Sequence, residues 1–282
     1  MRTATFVMVA LLSSSAWAGR GGSQIAIQSA VESGSTDAIV AEIERAEYLA
    51  CLGCIGVVQQ LVDHPQQRVR DAAGWWLTRR GVRTEVIAAM TARLTTGSDP
   101  IAARNAGDVL AAMRDYSTLP TLSAYLTHPL DEDSGVAVVL AVGAIGHPSS
   151  VATLATALGS PLAGVRAQAA ASLRDLRAPK GSPVAAQVAP LLPLLADADA
   201  NVRHQAAVTI GFIGGGGGDV TGALAALTAI VNTDAAPAVR KSAAWAIGQL
   251  KDGTGRAALQ QAQNDSDPLV RSVATTALAN LR

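Results

Sequence analysis

One phrase recurs along this chain and limits what the chain can fold into. It reads RVRDAAGWWLTRR from residue 68, GVRAQAAASLRDL from 164, NVRHQAAVTIGFI from 201 and PAVRKSAAWAIGQL from 237. In each copy an arginine is followed by a small residue three positions later and by leucine or isoleucine seven positions later. Offsets of three and seven share one face of an α-helix. Each copy therefore predicts an amphipathic helix that packs through small side chains, in a stack of similar units.

The arginine marks a key position in each unit. The key positions are Arg70, Ala103, Val138, Arg166, Arg203, Arg240 and Arg271, where the second and third are weaker copies without arginine. Between them lie further apolar segments, such as LPTLSAYLTH from 119 and GALAALTAIVN from 222, which are followed by residues that favour turns and helix N-caps. We therefore predict an all-α chain of about seven helical hairpins across residues 48–282.

The pattern D-x-x-VR-x-x-AA-x-AL/IG resembles HEAT repeats of the short bacterial type that is named after phycobilisome lyases. The resemblance is strongest at the last three key positions. It implies a right-handed α-solenoid whose second helices line the concave side. It also implies an aspartate–arginine ladder between neighbouring repeats. That ladder assigns a structural role to Asp199, Arg203, Arg240, Asp267 and Arg271.

The N-terminal segment has the three parts of a secretory signal. Arg2 supplies a positive charge, Phe6 to Leu12 are mostly apolar, and Ala16-Trp17-Ala18 fits a cleavage site. The apolar run is shorter than the roughly 20 residues that a membrane span needs. We therefore expect a signal peptide over residues 1–18 and export to the periplasm or the medium. Residues 19–47 contain two short helical patterns and are predicted to cap the first repeat.

The charge balance bears on the class of partner. The chain has 22 Lys and Arg against 22 Asp and Glu, so it lacks the basic excess of a nucleic-acid binder. Every later apolar run is interrupted by Arg, Asp or Gly, which argues against a membrane span. A protein or peptide partner is the remaining class that suits a repeat protein of this composition.

Cys51 and Cys54 are the only cysteines and have C-x-x-C spacing. No histidine follows the pair, as haem attachment would require, and helical repeats do not provide the βαβ context of a thioredoxin-type pair. One helical turn brings their Cα atoms to about 5 Å, within bridging range. Export favours a local disulfide; a free reactive pair and a metal site are the two alternatives.

No catalytic constellation emerges from the remaining polar residues. Each of the four histidines is followed by Pro or Gln, so the His-Glu pairs of di-iron enzymes built from HEAT-like repeats are absent. The glycine run 214–218 follows a predicted helix and lacks the GK[ST] of a phosphate loop, which indicates an inter-repeat loop. We predict neither a metal nor another cofactor.

The first repeat suggests a binding surface. Trp75 shares the register of Trp245, which favours packing between repeats, whereas Trp76 has no aromatic counterpart. Trp and Arg are enriched at interface hot spots. We therefore predict that Trp76, Arg79 and Arg80 anchor an acidic or extended partner at the concave N-terminal end. The alternative is a solvated basic face with a half-buried tryptophan.

These features together favour an exported, non-enzymatic scaffold that binds a protein or peptide partner on its concave face. Two other readings stay open from the sequence. One is an enzyme or enzyme-associated protein, by analogy with the lyases and hydroxylases that share the repeat. The other is a structural spacer, which the balanced charge allows.

Overall fold

A computed structural model describes residues 22–176 and 188–281, which form helices and turns without a β-strand. The signal-peptide prediction falls on residues 1–18, outside this range. The α-helices are α1 (Gln24–Ser33), α2 (Thr36–Arg45), α3 (Leu52–Gln60), α4 (Gln67–Leu77), α5 (Arg83–Thr95), α6 (Pro100–Met113), α7 (Leu119–Thr127), α8 (Glu132–Ile145), α9 (Ser150–Ala157), α10 (Ala163–Asp175), α11 (Ala200–Gly215), α12 (Ala223–Ile230), α13 (Pro237–Leu250), α14 (Arg256–Ala262) and α15 (Pro268–Asn280). None of these helices is long and apolar enough to cross a membrane.

The helices form two layers. The key phrases of the sequence are the second helices of the hairpins, and they are α4, α6, α8, α10, α11, α13 and α15. Each second helix packs against the next one along the chain. The first helices are α3, α5, α7, α9, α12 and α14, and two short 3₁₀ turns, Ala189–Leu191 and Pro193–Ala196, precede α11. The prediction of an all-α solenoid is confirmed.

Small residues let the second helices approach closely. A Cβ atom added to Gly107 on α6 would lie 2.8 Å from the Ala137 Cβ on α8. On α13, the same addition to Gly248 would come 2.7 Å from the Ala277 Cβ on α15. Real Cβ atoms do not tolerate such contacts, so larger residues there would push the repeats apart. The abundance of Ala and Gly therefore reflects packing between thin layers, as the sequence predicted.

Aspartate N-caps show where four of the second helices begin. The side chains of Asp99, Asp131, Asp199 and Asp267 each accept a backbone N–H of the first helical turn. The key position lies four residues after the cap, which places the α8 key position at Gly135 and not at Val138. The apolar pattern misled the sequence register because a shift of three residues stays on the same helix face.

Two helices cover the first repeat. In α1 and α2 the side chains of Ile27, Ile39 and Ile43 are fully buried, and the Ser35 hydroxyl accepts the Ala38 N–H as the N-cap of α2. The Cys51–Cys54 disulfide, with a Cα–Cα distance of 5.2 Å, joins the start of α3 to its first turn. Cys54 is fully buried. The bridge therefore constrains the backbone at the junction between the cap and the first repeat.

Candidate functional site: the second-helix face

The recurring arginines occupy one geometry in the C-terminal half of the chain. Arg203 Nη1 donates to the carbonyls of Asp197 and Ala198 at 2.8 and 3.1 Å. The opposite edge of the guanidinium, Nε and Nη2, donates to the two carboxylate oxygens of Asp234 at 2.6 and 2.9 Å. Because Asp234 lies in the loop that leads to α13, the arginine joins its own repeat to the next one.

The same fork recurs one repeat earlier and one repeat later. Arg166 donates to both carboxylate oxygens of Asp197, and Arg240 donates to both oxygens of Asp265. The bonds from their guanidinium partners lower the pKa values of all three acceptors, including Asp234, and that of Asp265 falls to about 2. These pairs form a continuous ladder across the loops.

The ladder corrects the partner assignment that the resemblance implied. Asp199 and Asp267 do not pair with the arginines; their carboxylates cap α11 and α15. The acidic partner instead stands two residues before each cap position, as Asp234 does before Ala236. Arg271 donates Nη1 to the carbonyls of Asp265 and Ser266, but its other edge meets no carboxylate among the described residues.

In the first repeat the key arginine pairs with an aspartate on the next second helix and not with one in the loop. Arg70 Nε and Nη2 both donate to one oxygen of Asp108, at 2.9 and 2.6 Å, and both side chains are only 4% exposed. The loop position where an aspartate would stand is Gly97, so the guanidinium pairs with a carboxylate on α6. Burial, together with the negative charge of Asp108, raises the pKa of the neighbouring Asp71 to about 6.

Trp76 is a core residue, so the prediction that it anchors a partner is wrong. Its side chain is fully buried, and its indole Nε1 donates to the Ala46 carbonyl at 3.0 Å. The Arg80 guanidinium stacks 3.9 Å from the Trp76 ring and donates Nη2 to the carbonyls of Ala46 and Glu47. Both residues therefore fasten the N-terminal cap to repeat one, and Arg80 is not an anchor either.

Trp75 and Arg79 lie at the surface instead. Trp75 is half-buried, and the Arg79 guanidinium, 46% exposed, stacks 4.6 Å from its ring. Both residues line a groove of about 800 Å³ between α4, α6 and α8, together with Asp71, Leu140 and Ala144. Of the three predicted anchors, only Arg79 is thus placed where a partner could reach it.

The groove continues along the second helices. A neighbouring cavity of about 650 Å³ between α8 and α10 shares Arg114, Leu140 and Ala144 with the first. We call the surface formed by these helices, from α4 to α15, the second-helix face. The sequence could not predict that small residues such as Ala144 line the groove, because nothing in their chemistry distinguishes them from the alanines that pack inside.

The histidines serve local structure. His64 Nδ1 accepts the N–H of Gln66, and His147 Nδ1 accepts the N–H of Ser149, so both close turns. His204 Nδ1 lies 3.2 Å from the Ser242 hydroxyl. Within the described ranges no three His, Cys, Asp or Glu side chains come close enough to hold a metal ion.

The repeat geometry agrees with a direct comparison against protein families. A family profile described as HEAT repeats matches residues 87–174, 165–248 and 188–279. The chain belongs to the HEAT repeat family. The match is to HEAT repeats in general, and the likeness to the phycobilisome-lyase type stays a resemblance. A search of curated protein sequences finds no significant match.

Solved structures support the HEAT fold. The E. coli protein YibA superimposes with a TM-score of 0.55 at 13% identity, over 90% of either chain. An engineered protein reaches a TM-score of 0.52 at 19% identity, over 87% of this chain and 70% of that one. Human deoxyhypusine hydroxylase, solved with glycerol, is 21% identical over 91% of this chain and 97% of its own. Its TM-score of 0.39 is too low to carry an argument about this protein.

Proposed function

We propose that this HEAT repeat protein is an exported, non-enzymatic scaffold whose second-helix face receives a protein or peptide partner. The observation that carries the proposal is the pair of adjoining grooves, of about 800 and 650 Å³, between four successive second helices. Grooves that run across several repeats suit an extended ligand better than a small molecule.

The different positions of the arginines support the proposed binding role. Arg203 and Arg240 use both edges of their guanidinium groups within the solenoid, which leaves them little capacity to bind a partner. Arg79, in contrast, is exposed and borders the groove beside the half-buried Trp75. Arg79 thus keeps an exposed guanidinium at the groove, although its Nε also lies 3.8 Å from the Glu47 carboxylate.

A pair of matched alanine variants tests the binding role. Ala144→Arg places a long cationic side chain in the wall that both grooves share, whereas Ala124→Arg makes the same change at an exposed position of α7 on the other layer. Each purified variant would be incubated with the exported proteome of the source cell and crosslinked. We expect a specific partner to be captured by the wild type and by Ala124→Arg, but not by Ala144→Arg.

Equal capture by all three proteins would show that the adjoining grooves between α4 and α10 are not the binding surface. Loss of capture together with a lowered melting temperature in Ala144→Arg would not count as support. The Ala111→Glu variant, in the same groove, then serves as the second probe.

Export is a separate part of the proposal and rests on the N-terminal sequence. We expect the exported protein to begin at Gly19, after Ala16-Trp17-Ala18, and to carry the Cys51–Cys54 disulfide. Intact-mass measurement before and after alkylation reads both features. A cytosolic protein that retains residues 1–18 would overturn the assignment.

A further inference from the structure

A second, chemically distinct surface lies at the C-terminal half of the second-helix face. Val208 and Phe212 on α11, Trp245 on α13 and Val273 on α15 surround a cavity of about 480 Å³. The cavity wall also includes His204, Ser242 and Lys241. We call the four apolar residues, with Lys241, the aromatic patch. We propose that the aromatic patch binds an apolar side chain of an acidic peptide, which deepens the proposed scaffold function and rests on it.

Phe212 is the most unusual member of the patch. Its side chain is 53% exposed, although a phenylalanine is among the residues most often buried. The corresponding positions on α13 and α15, nine residues after the key position, are Gln249 and Asn280. Polar residues are therefore accommodated at this register, so packing within the solenoid does not account for a phenylalanine there.

The aromatic rings are held in place. The centroids of the Phe212 and Trp245 rings are 5.0 Å apart at an interplanar angle of 53°, and the Trp245 ring packs over Gly211. The Arg174 guanidinium lies 5.6 Å from the other ring of the pair, Phe212. A preorganised aromatic surface can accept an apolar side chain without first ordering its own side chains.

The charges around the patch select an acidic partner. Lys241 lies one turn before Trp245 on α13, and no carboxylate pairs with its ammonium group among the described residues. The ladder aspartates of this half, such as Asp234, are already neutralised by arginines. Carboxylates beside a bound apolar side chain would therefore meet uncompensated positive charge.

A second copy of the chain suits the patch less well. In a symmetric contact the same surface meets itself, so Lys241 would approach the Lys241 of the other subunit. That like-charge contact opposes dimerisation through the patch. A peptide with Asp or Glu on either side of a large apolar residue has the opposite electrostatic relation to this surface.

A displayed library of random 12-residue peptides tests the proposal with the mature chain. We expect the wild type to enrich peptides that carry an aromatic or large aliphatic residue flanked by Asp or Glu. The consensus peptide, made with a fluorescent label, is then titrated by anisotropy against single variants. Phe212→Ala and Lys241→Glu should each weaken its binding about tenfold or more. Lys251→Glu, an exposed lysine at the C-terminus of the same helix, should change binding less than about twofold.

Three outcomes would overturn the proposal, and they are distinguishable. Binding that is lost in Ala144→Arg but kept in Phe212→Ala would place the peptide in the N-terminal grooves, so the scaffold function would stand without this site. No enrichment by the wild type would remove the peptide site, while the capture experiment with Ala144→Arg would still decide the scaffold function. A concentration-dependent dimer in sedimentation that Phe212→Ala abolishes would identify a second copy as the occupant. Melting temperatures of the variants establish that they are folded.

Discussion

The two halves of this solenoid connect their repeats in different ways. From Arg166 onward, three successive junctions use one bidentate arginine–aspartate pair with the same geometry. In the first half the junctions differ from one another. Arg70 reaches a buried aspartate on the next second helix, and the key positions Ala103 and Gly135 carry no arginine at all.

One loop position explains the difference. Two residues before the helix cap, the C-terminal half has Asp197, Asp234 and Asp265, whereas the earlier loops have Gly97 and Pro129. Where the loop carboxylate is missing, an arginine at the preceding key position would have no loop partner. Arg70 pairs with Asp108 instead, and the key positions Ala103 and Gly135 have no arginine. The arginine of one repeat and the aspartate of the following repeat therefore occur together.

The largest expected effect on stability is at the Arg70–Asp108 pair of the first half. Arg70→Ala leaves the Asp108 carboxylate buried without its cation, so the free energy of unfolding should fall by about 3–5 kcal/mol. Urea unfolding followed by circular dichroism measures this change. Arg68→Ala, two residues away in an exposed pair, is the control and should cost less than about 1 kcal/mol. Similar losses in both variants would contradict the account of the first junction.

A smaller loss is expected in the regular half, where the position along the ladder matters. Arg203→Ala removes a pair whose side chains are 15% and 5% exposed and should cost about 1.5–3 kcal/mol. Arg271→Ala removes an exposed guanidinium that donates only to backbone carbonyls and should cost about 0.5–1 kcal/mol. Equal melting temperatures for these two variants would show that pairing with a loop aspartate adds no stability at the key position.

Acid should weaken the regular ladder. The pKa values of Asp197, Asp234 and Asp265 are lowered in the folded chain, so the stability they contribute is present above the unfolded value of about 3.9. That stability is lost as the pH falls from there toward the value of about 2 at Asp265. Melting temperatures of the wild type and of Asp265→Asn from pH 5 to pH 2 measure the loss, and the melting temperature of the variant should decline less. An equally steep decline in both proteins would contradict the stabilising role of the ladder.

The smallest effect has the opposite sign and belongs to the first half. The pKa of Asp71 is raised to about 6 by burial and by Asp108, so its ionised form disfavours folding above the unfolded value near 3.9. Asp71→Asn should therefore raise the melting temperature more at pH 7.5 than at pH 5. The exposed Asp133→Asn is the control and should show no such difference. A lower melting temperature for Asp71→Asn at pH 7.5 would indicate a stabilising role for the carboxylate.

Much of the fold could be predicted from the sequence because helix periodicity is local. Offsets of three and seven found all seven second helices, including α6 and α8, whose key positions lack arginine. The register of α8 could not be fixed this way, since Val138 and Gly135 lie on nearly the same face. The N-cap bonds of Asp131 resolve it, and those depend on backbone geometry that residue types do not encode.

The binding surface was harder to predict because adjacent residues on a helix point about 100° apart. Trp76 shares its register with Ser172, Thr209 and Ala246, all of which are buried in later repeats. Their small size was the signal that this register faces the interior. In the first repeat this register packs against the capping segment, where the Trp76 indole reaches the Ala46 carbonyl, and not against another repeat.

The ladder partners left a signal in the sequence that the family resemblance obscured. An aspartate six residues before the key position recurs at Arg203, Arg240 and Arg271, and each of these aspartates accepts the arginine of the preceding repeat. The aspartate four residues before the key position is closer in sequence and drew the assignment. Only the loop geometry separates the capping carboxylate from the pairing one.

A double-mutant cycle across Arg203 and Asp234 tests most directly the claim that each arginine holds the next repeat through its carboxylate. The single variants Arg203→Ala and Asp234→Ala and the double variant would be unfolded with urea. A second double-mutant cycle would combine Arg203→Ala with Asp199→Ala. We expect a coupling energy of about 1–3 kcal/mol for Arg203 with Asp234 and less than about 0.5 kcal/mol with Asp199. Coupling to Asp199 that equals or exceeds coupling to Asp234 would show that Asp234 does not hold the next repeat.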